Sequence, residues 1–132
     1  MLSSGLAVIA ACASMATMSE TVTLTGSNEV PPVTTSATGT ANITVGADRS
    51  VKASVTTTGM TATASHIHMG AAGSNGPVIV PFTKSGDNAF SAAPDAKLTE
   101  EQFAAYKAGK LYVNVHSAKD PGGEIRGQLK GS

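Results

Sequence analysis

A chain of 132 residues with an apolar share of 41% has room for one domain around one modest core, and no second domain is expected. Nine basic residues balance nine acidic ones, which removes the field that would draw the chain to nucleic acid or an anionic membrane surface; no arginine strip or aromatic stacking platform is present either. Trp is absent, aromatics make up 4%, and the apolar positions are mostly Val, Ala and Ile among many Thr and Ser, which is a β-rich composition.

The chain opens on an apolar run from Leu6 to Ala13, right in length for the h-region of a signal peptide and too short to span a bilayer, although no basic n-region precedes it. Ile9-Ala10-Ala11-Cys12 resembles a bacterial lipobox, which makes Cys12 a lipidation candidate. Cleavage after Ala13 or Ala16 would instead discard it, and an ordinary first strand is the remaining reading of the run. Residues 1–19 are therefore expected to be a signal peptide or lipoprotein leader and residues 20–132 the mature domain. That places the protein outside the cytoplasm, in the periplasm, secreted, or on the outer surface as a lipoprotein. Cys12 is the only cysteine, so the mature domain lacks a disulfide and a thiolate ligand and must rely on packing, alone or with a metal.

Thr21 to Gly26 alternates Thr with apolar residues and reads as a half-buried strand, which Asn28-Glu29-Val30-Pro31-Pro32 breaks because consecutive prolines cannot donate to a ladder. Thr38 to Val45 and Val51 to Thr57 form a hairpin across the turn Gly46 to Ser50. Gly59-Met60 leads into a strand holding His66 and His68. A glycine-rich loop, Gly70 to Pro77, separates it from the short strands Val78 to Phe82 and Ala89 to Ser91. Leu98 to Ala108 is the one expected helix, with Thr99 as N-cap, Gln102 completing a capping box and Gly109 as the left-handed residue beyond its end. Phe103 and Tyr106 give it an aromatic stripe for the core. Leu111 to Ser117 and Glu124 to Leu129 close the chain as strands, joined by Asp120-Pro121-Gly122-Gly123. The fold expected is all-β, a Greek-key β-sandwich or barrel of seven to eight strands with one short helix.

The three histidines of the chain carry its chemistry. A strand's period of two puts His66 and His68 on one face, opposite Ile67 and Met69. In the later strand Leu111, Val113 and Val115 are apolar, so Tyr112, Asn114 and His116 point the other way. A His-x-His on a strand is by itself commonly a solvated polar face. Where a third histidine lies on the corresponding face of a strand that pairs, three imidazoles converge on one ion, copper first because all the ligands are nitrogen, zinc next. Glu124 and Asp120 are candidates to accept the second ring N–H of a ligand, and Asn114 and Tyr112 to line the pocket. The loop Gly70 to Pro77 lacks the ending of a P-loop and the helix of a dinucleotide site, and reads as backbone passing close over the histidines.

In order, Leu24-Thr25-Gly26-Ser27-Asn28-Glu29-Val30-Pro31-Pro32, Gly39-Thr40-Ala41, His66-Ile67-His68-Met69-Gly70, Gly73-Ser74-Asn75-Gly76-Pro77-Val78, Tyr112-Val113-Asn114-Val115-His116 and Gly122-Gly123-Glu124-Ile125-Arg126-Gly127-Gln128-Leu129 resemble the successive motifs of the CHRD (chordin-type) domain, in its bacterial exported form. The resemblance implies a Greek-key domain similar in fold to Cu/Zn superoxide dismutase, with an immunoglobulin-like sandwich as the related alternative. It also implies that His66, His68 and His116 match that fold's copper histidines. The chain has no fourth copper histidine, bridging histidine, aspartate-bearing zinc loop or disulfide, which weighs against the dismutase reaction.

The leading functional expectation is an exported domain that binds one copper or zinc ion through His66, His68 and His116, in metal handling or as a simple redox centre. The alternative is a non-enzymatic interaction or cell-surface module with structural histidines, whose partner is another exported or surface protein. A copper enzyme with weak dismutase-like activity is the third reading. None involves nucleic acid, and the membrane enters only through a lipid anchor.

Overall fold

The computed structural model describes residues 17–131. The apolar run at Leu6 to Ala13 and the lipidation candidate Cys12 lie outside the described residues. Eight antiparallel strands are described: β1 (Thr17–Thr25), β2 (Thr38–Gly46), β3 (Val51–Thr58), β4 (Ala62–Met69), β5 (Val78–Gly86), β6 (Ala89–Ala92), β7 (Leu111–Ser117) and β8 (Ile125–Gln128). One helix, α1 (Glu100–Lys107), sits between β6 and β7. Residues 17–19, at the end of the expected leader, form the first rungs of β1 against Thr44, Val45 and Gly46.

The strands close into a barrel in the order β1-β2-β3-β6-β5-β4-β7-β8. Hairpins join β4, β5 and β6, while β3 lies beside β6 and β7 beside β4, so the chain makes two overlapping Greek keys. The all-β expectation of seven to eight strands and one short helix therefore holds, with a closed barrel as its form. Alternation along the strands explains the closure. In β2 Ala41, Ile43 and Val45 are buried while Thr38, Thr40 and Asn42 are exposed, and the inward residues of every strand meet in one core. Leu24, Ile43, Val55, Ile67, Val113, Val115, Ile125 and Leu129 are all 0–1% exposed. Each such aliphatic side chain contributes about 1.5–3 kcal/mol by leaving water.

The helix begins as its sequence dictates. The Thr99 side chain accepts from the Gln102 backbone N–H at 3.1 Å, and the Gln102 side chain accepts from the Thr99 N–H at 2.9 Å. Gly109 ends it with φ +75. Tyr106 is fully buried and donates its hydroxyl to Glu20, and Phe103 packs at the margin of the core.

Two loops then change the outer wall. The loop Gly70 to Pro77 folds back over β4 and β7, with Met69 N–H donating to Pro77 O at 3.0 Å and Gly70 N–H to Lys110 O at 2.7 Å. The segment after β1 lies beside it, joined where Asn75 Nδ2 donates to Val30 O at 2.9 Å. The outward side chains of β4, β7 and β8 are consequently covered, although they lie outside the barrel.

Candidate metal centre

Register assembles the site. Antiparallel β4 and β7 pair His66 with Asn114, His68 with Tyr112 and Ala64 with His116, so all three histidines emerge on the outer face, His116 diagonal to His66. The ring centroids are 4.8 Å apart for His66 and His116, 5.5 Å for His66 and His68, and 6.0 Å for His68 and His116. One ring nitrogen from each lies within 4.8 Å of the others.

Backbone carbonyls select which nitrogens converge. His68 Nδ1 is 2.9 Å from Gly76 O and His116 Nδ1 is 2.9 Å from Pro121 O. A carbonyl only accepts, so both Nδ1 atoms carry hydrogen and both Nε2 atoms present lone pairs. His66 joins through Nδ1, whose N–H donates to the His116 Nε2 lone pair at 3.0 Å without a metal; to ligate, that ring carries its proton on Nε2 instead. The donor set is thus His66 Nδ1, His68 Nε2 and His116 Nε2. A tetrahedral ion with nitrogen ligands at about 2.0–2.1 Å holds them about 3.4 Å apart, so the first pair already has close to ligand spacing. His68 Nε2 is buried and has no hydrogen-bond partner among the described residues. An orphaned lone pair facing two further imidazole nitrogens fits a metal ion, and in water-free surroundings it costs about 1–3 kcal/mol if nothing satisfies it.

Electrostatics favour the neutral, ligating form. Burial lowers the His66 pKa to about 4, assisted by the neighbouring His116 and His68. Burial also lowers that of His68, against the opposing effects of its hydrogen bond to Gly76 and of the Asn114 side chain beside it.

The supporting residues differ from the carboxylates expected as acceptors. Glu124 is committed elsewhere, accepting from Ser117 Oγ at 2.7 Å and Thr35 Oγ1 at 2.6 Å. Burial pushes its carboxyl up, but those two hydroxyls outweigh it and the net shift is downward. Asp120 offers its backbone carbonyl to Gly123 N–H at 3.0 Å, and the tight turn brings the next carbonyl, that of Pro121, to His116. Tyr112 does line the pocket. Its ring stacks on His68 at 4.8 Å and 4° between planes, and its hydroxyl accepts the Gly76 N–H at 3.0 Å. Asn114 is 3% exposed beneath the histidines.

Arg126 and Glu29 enter from outside the expected set. The Arg126 guanidinium, 1% exposed, lies 3.4 Å from the centroid of the Tyr112 ring. It donates to Asn75 Oδ1 at 3.1 Å, to Ala71 O at 3.5 Å and to Ser74 O, which pins the loop whose Gly76 carbonyl orients His68. Glu29 is a buried carboxyl on the far side of Asn114, its pKa raised to about 7 by burial against the lowering effects of Arg126 and Asn114.

A family model for the CHRD domain matches residues 21–129, nearly the whole described chain. The chain belongs to the CHRD domain family. Among curated proteins and among solved structures, none matches it. In this CHRD domain the matched segment runs from within β1 to the end of β8, so both histidine strands, both covering loops and the turn that holds His116 lie inside the family unit.

Proposed function

We propose that this CHRD domain binds a single transition-metal ion through His66 Nδ1, His68 Nε2 and His116 Nε2, with copper the preferred ion and zinc next. The observation that carries the reading is the buried, unpartnered Nε2 of His68, aimed where the other two nitrogens meet. Three neutral imidazoles with no carboxylate among them suit copper and zinc, and at equal ligands the divalent order places copper above zinc. Three such ligands would leave a fourth position for water or an exogenous ligand. Copper there would supply one-electron chemistry. The chain's own part is to hold the rings: Gly76 and Pro121 fix the tautomers, Tyr112 stacks on His68, and Arg126 secures the loop above. Metal handling or a simple redox centre, in the manner of a copper-binding Greek-key domain, is the role these features support, and the signal-peptide-like run Leu6 to Ala13 is what supports a location outside the cytoplasm.

Metal-free protein titrated with Cu(II), Cu(I) and Zn(II) against a competing chelator, beside His68→Ala, tests the proposal. The wild type is expected to bind one ion, and the variant to lose at least about 100-fold in affinity, more than the loss typical of an outer-shell change. Loading should raise the melting temperature of the wild type alone. Equal, weak binding by the two proteins would overturn the proposal.

A further inference from the structure

A second cluster, of oxygen atoms, lies behind the histidines in the cleft between the segment after β1 and the turn after β7. Glu29 is 5% exposed, and its Oε2 has no hydrogen-bond partner among the described residues. Asp120 Oδ2 is enclosed and unpartnered in the same way, and Asn114 presents its Nδ2 to this side. Glu29 and Asp120 line one cavity of about 500 Å³, walled by Val30 to Thr34 on one side and Pro121 to Gly123 on the other. Gly123 leaves room for this arrangement. At φ +123 it adopts backbone closed to other residues, and a Cβ there would stand 2.5 Å from Glu29 Oε2 and 2.6 Å from Asn114 Nδ2.

No ion pair is described for either acid; Arg126 lies near enough to favour the Glu29 charge, but burial outweighs it. Arg126 has committed its guanidinium to Ala71, Ser74 and Asn75, and the single ion pair described, Arg49 with Glu100, lies elsewhere. Lys119 lines the cavity but is exposed and reaches neither carboxylate within ion-pair distance. Glu29 is buried and Asp120 half-buried, and their two carboxylates repel each other while their enclosed oxygens carry a desolvation penalty unless a cation or a proton joins them.

We propose that Glu29 and Asp120 bind a hard divalent cation, calcium, in this cavity. The donors are oxygens, which calcium takes and which the imidazole-preferring metals of the histidine site do not select. Backbone carbonyls and water complete the six to eight ligands calcium accepts in flexible geometry, whereas magnesium demands a near-ideal octahedron. Two carboxylates place the dissociation constant in the weak range of about 10⁻⁴–10⁻³ M found for extracellular modules. This site stands whether or not the histidines bind metal.

Calorimetry and thermal unfolding of the full chain at pH 8 in calcium chloride or magnesium chloride test it, on wild type, Glu29→Gln and Asp120→Asn. Calcium at ten times its dissociation constant is expected to raise the wild-type melting temperature by about 4–6 °C. Both variants should lose that shift while binding copper and zinc as the wild type does. No response of the wild type to about 10 mM of either salt would overturn the site and leave a carboxyl pair sharing a proton only. An equal calcium shift in both variants would also overturn it, and a magnesium response as large as that of calcium would overturn the choice of ion.

Discussion

The barrel has two outer faces built by the same alternation, and they have opposite fates. On β1, β2 and β3 the outward rungs are Ser19, Thr44 and Lys52; Thr21, Asn42 and Ser54; Thr23, Thr40 and Thr56; and Thr25, Thr38 and Thr58. That face is open to water. On β4, β7 and β8 the outward residues are His66, His68, Tyr112, Asn114, His116 and Arg126, and the loops roof them over so that Arg126, Tyr112 and Asn114 are 1–3% exposed. Polar groups in water need no designed partner, whereas polar groups under a roof must find one or carry a penalty. The chemistry of this chain is concentrated where that requirement applies, and two of the atoms left without partners, His68 Nε2 and Glu29 Oε2, mark the two candidate ion sites.

Removing the roof's anchor should have the largest effect. Arg126→Met keeps much of the side chain's volume but abandons the acceptors on Ala71, Ser74 and Asn75, and is expected to cost about 2–4 kcal/mol in urea unfolding. Freeing the loop also loosens Gly76 over His68, so copper affinity should fall by about 10–100-fold, as outer-shell changes typically do. A variant with unchanged unfolding midpoint and copper affinity would show that the covered face does not depend on its cover.

The next effect is electrostatic, and its sign differs between the two candidate sites. Glu29 has its pKa raised from 4.5 to about 7, so the folded protein holds a proton that the unfolded chain releases. The stability this contributes is present below about pH 4.5 and is lost as pH rises through 7. His66 is lowered from 6.5 to about 4, so its contribution is present above about pH 6.5 and is lost as pH falls through 4. In the absence of divalent ions, Glu29→Gln should therefore gain on the wild type by about 1–2 kcal/mol between pH 5 and pH 8, with little difference near pH 4. Its own stability should still fall below pH 6.5 through His66. Urea midpoints across that range check both limbs, and a wild-type and variant pair running parallel would remove Glu29 from the buried layer.

Much of this was legible from residue order. Strand alternation placed Tyr112, Asn114 and His116 on one face, and the capping box at Thr99 and Gln102 and the glycine at 109 delimited the helix. The cover was not legible, because whether an outward residue meets water or a folded-back loop depends on contacts between segments far apart in sequence. Alternation along the last strand turns Arg126 outward, opposite Ile125 and Leu129, yet it is fully enclosed by the loop about fifty residues earlier. The acceptors of the histidine N–H groups were missed for a related reason. Expectation turned to the carboxylates of Glu124 and Asp120, but the atoms used are the carbonyls of Gly76 and Pro121, and any residue type brings a carbonyl. Glu29 passed as part of a proline-broken loop. Its one signal was an acidic residue flanked by Asn28 and Val30-Pro31-Pro32 in a segment with no lysine or arginine to pair it.

The smallest expected effect lies on the open face, and it tests the comparison from the other side. Thr23 and Thr40 sit opposite each other, both exposed, with no side-chain hydrogen bond described for either hydroxyl. Thr40→Ser removes one methyl group that water already surrounds, so it should change stability by no more than about 0.5 kcal/mol. A comparable truncation under the roof, Asn114→Ser, withdraws an amide from the space between Glu29 and the histidines, where no solvent can replace it. Its cost should be several-fold larger. If the two substitutions cost the same by urea unfolding, the loops would not be excluding water, and the unpartnered nitrogen of His68 would lose its standing as the mark of a metal site.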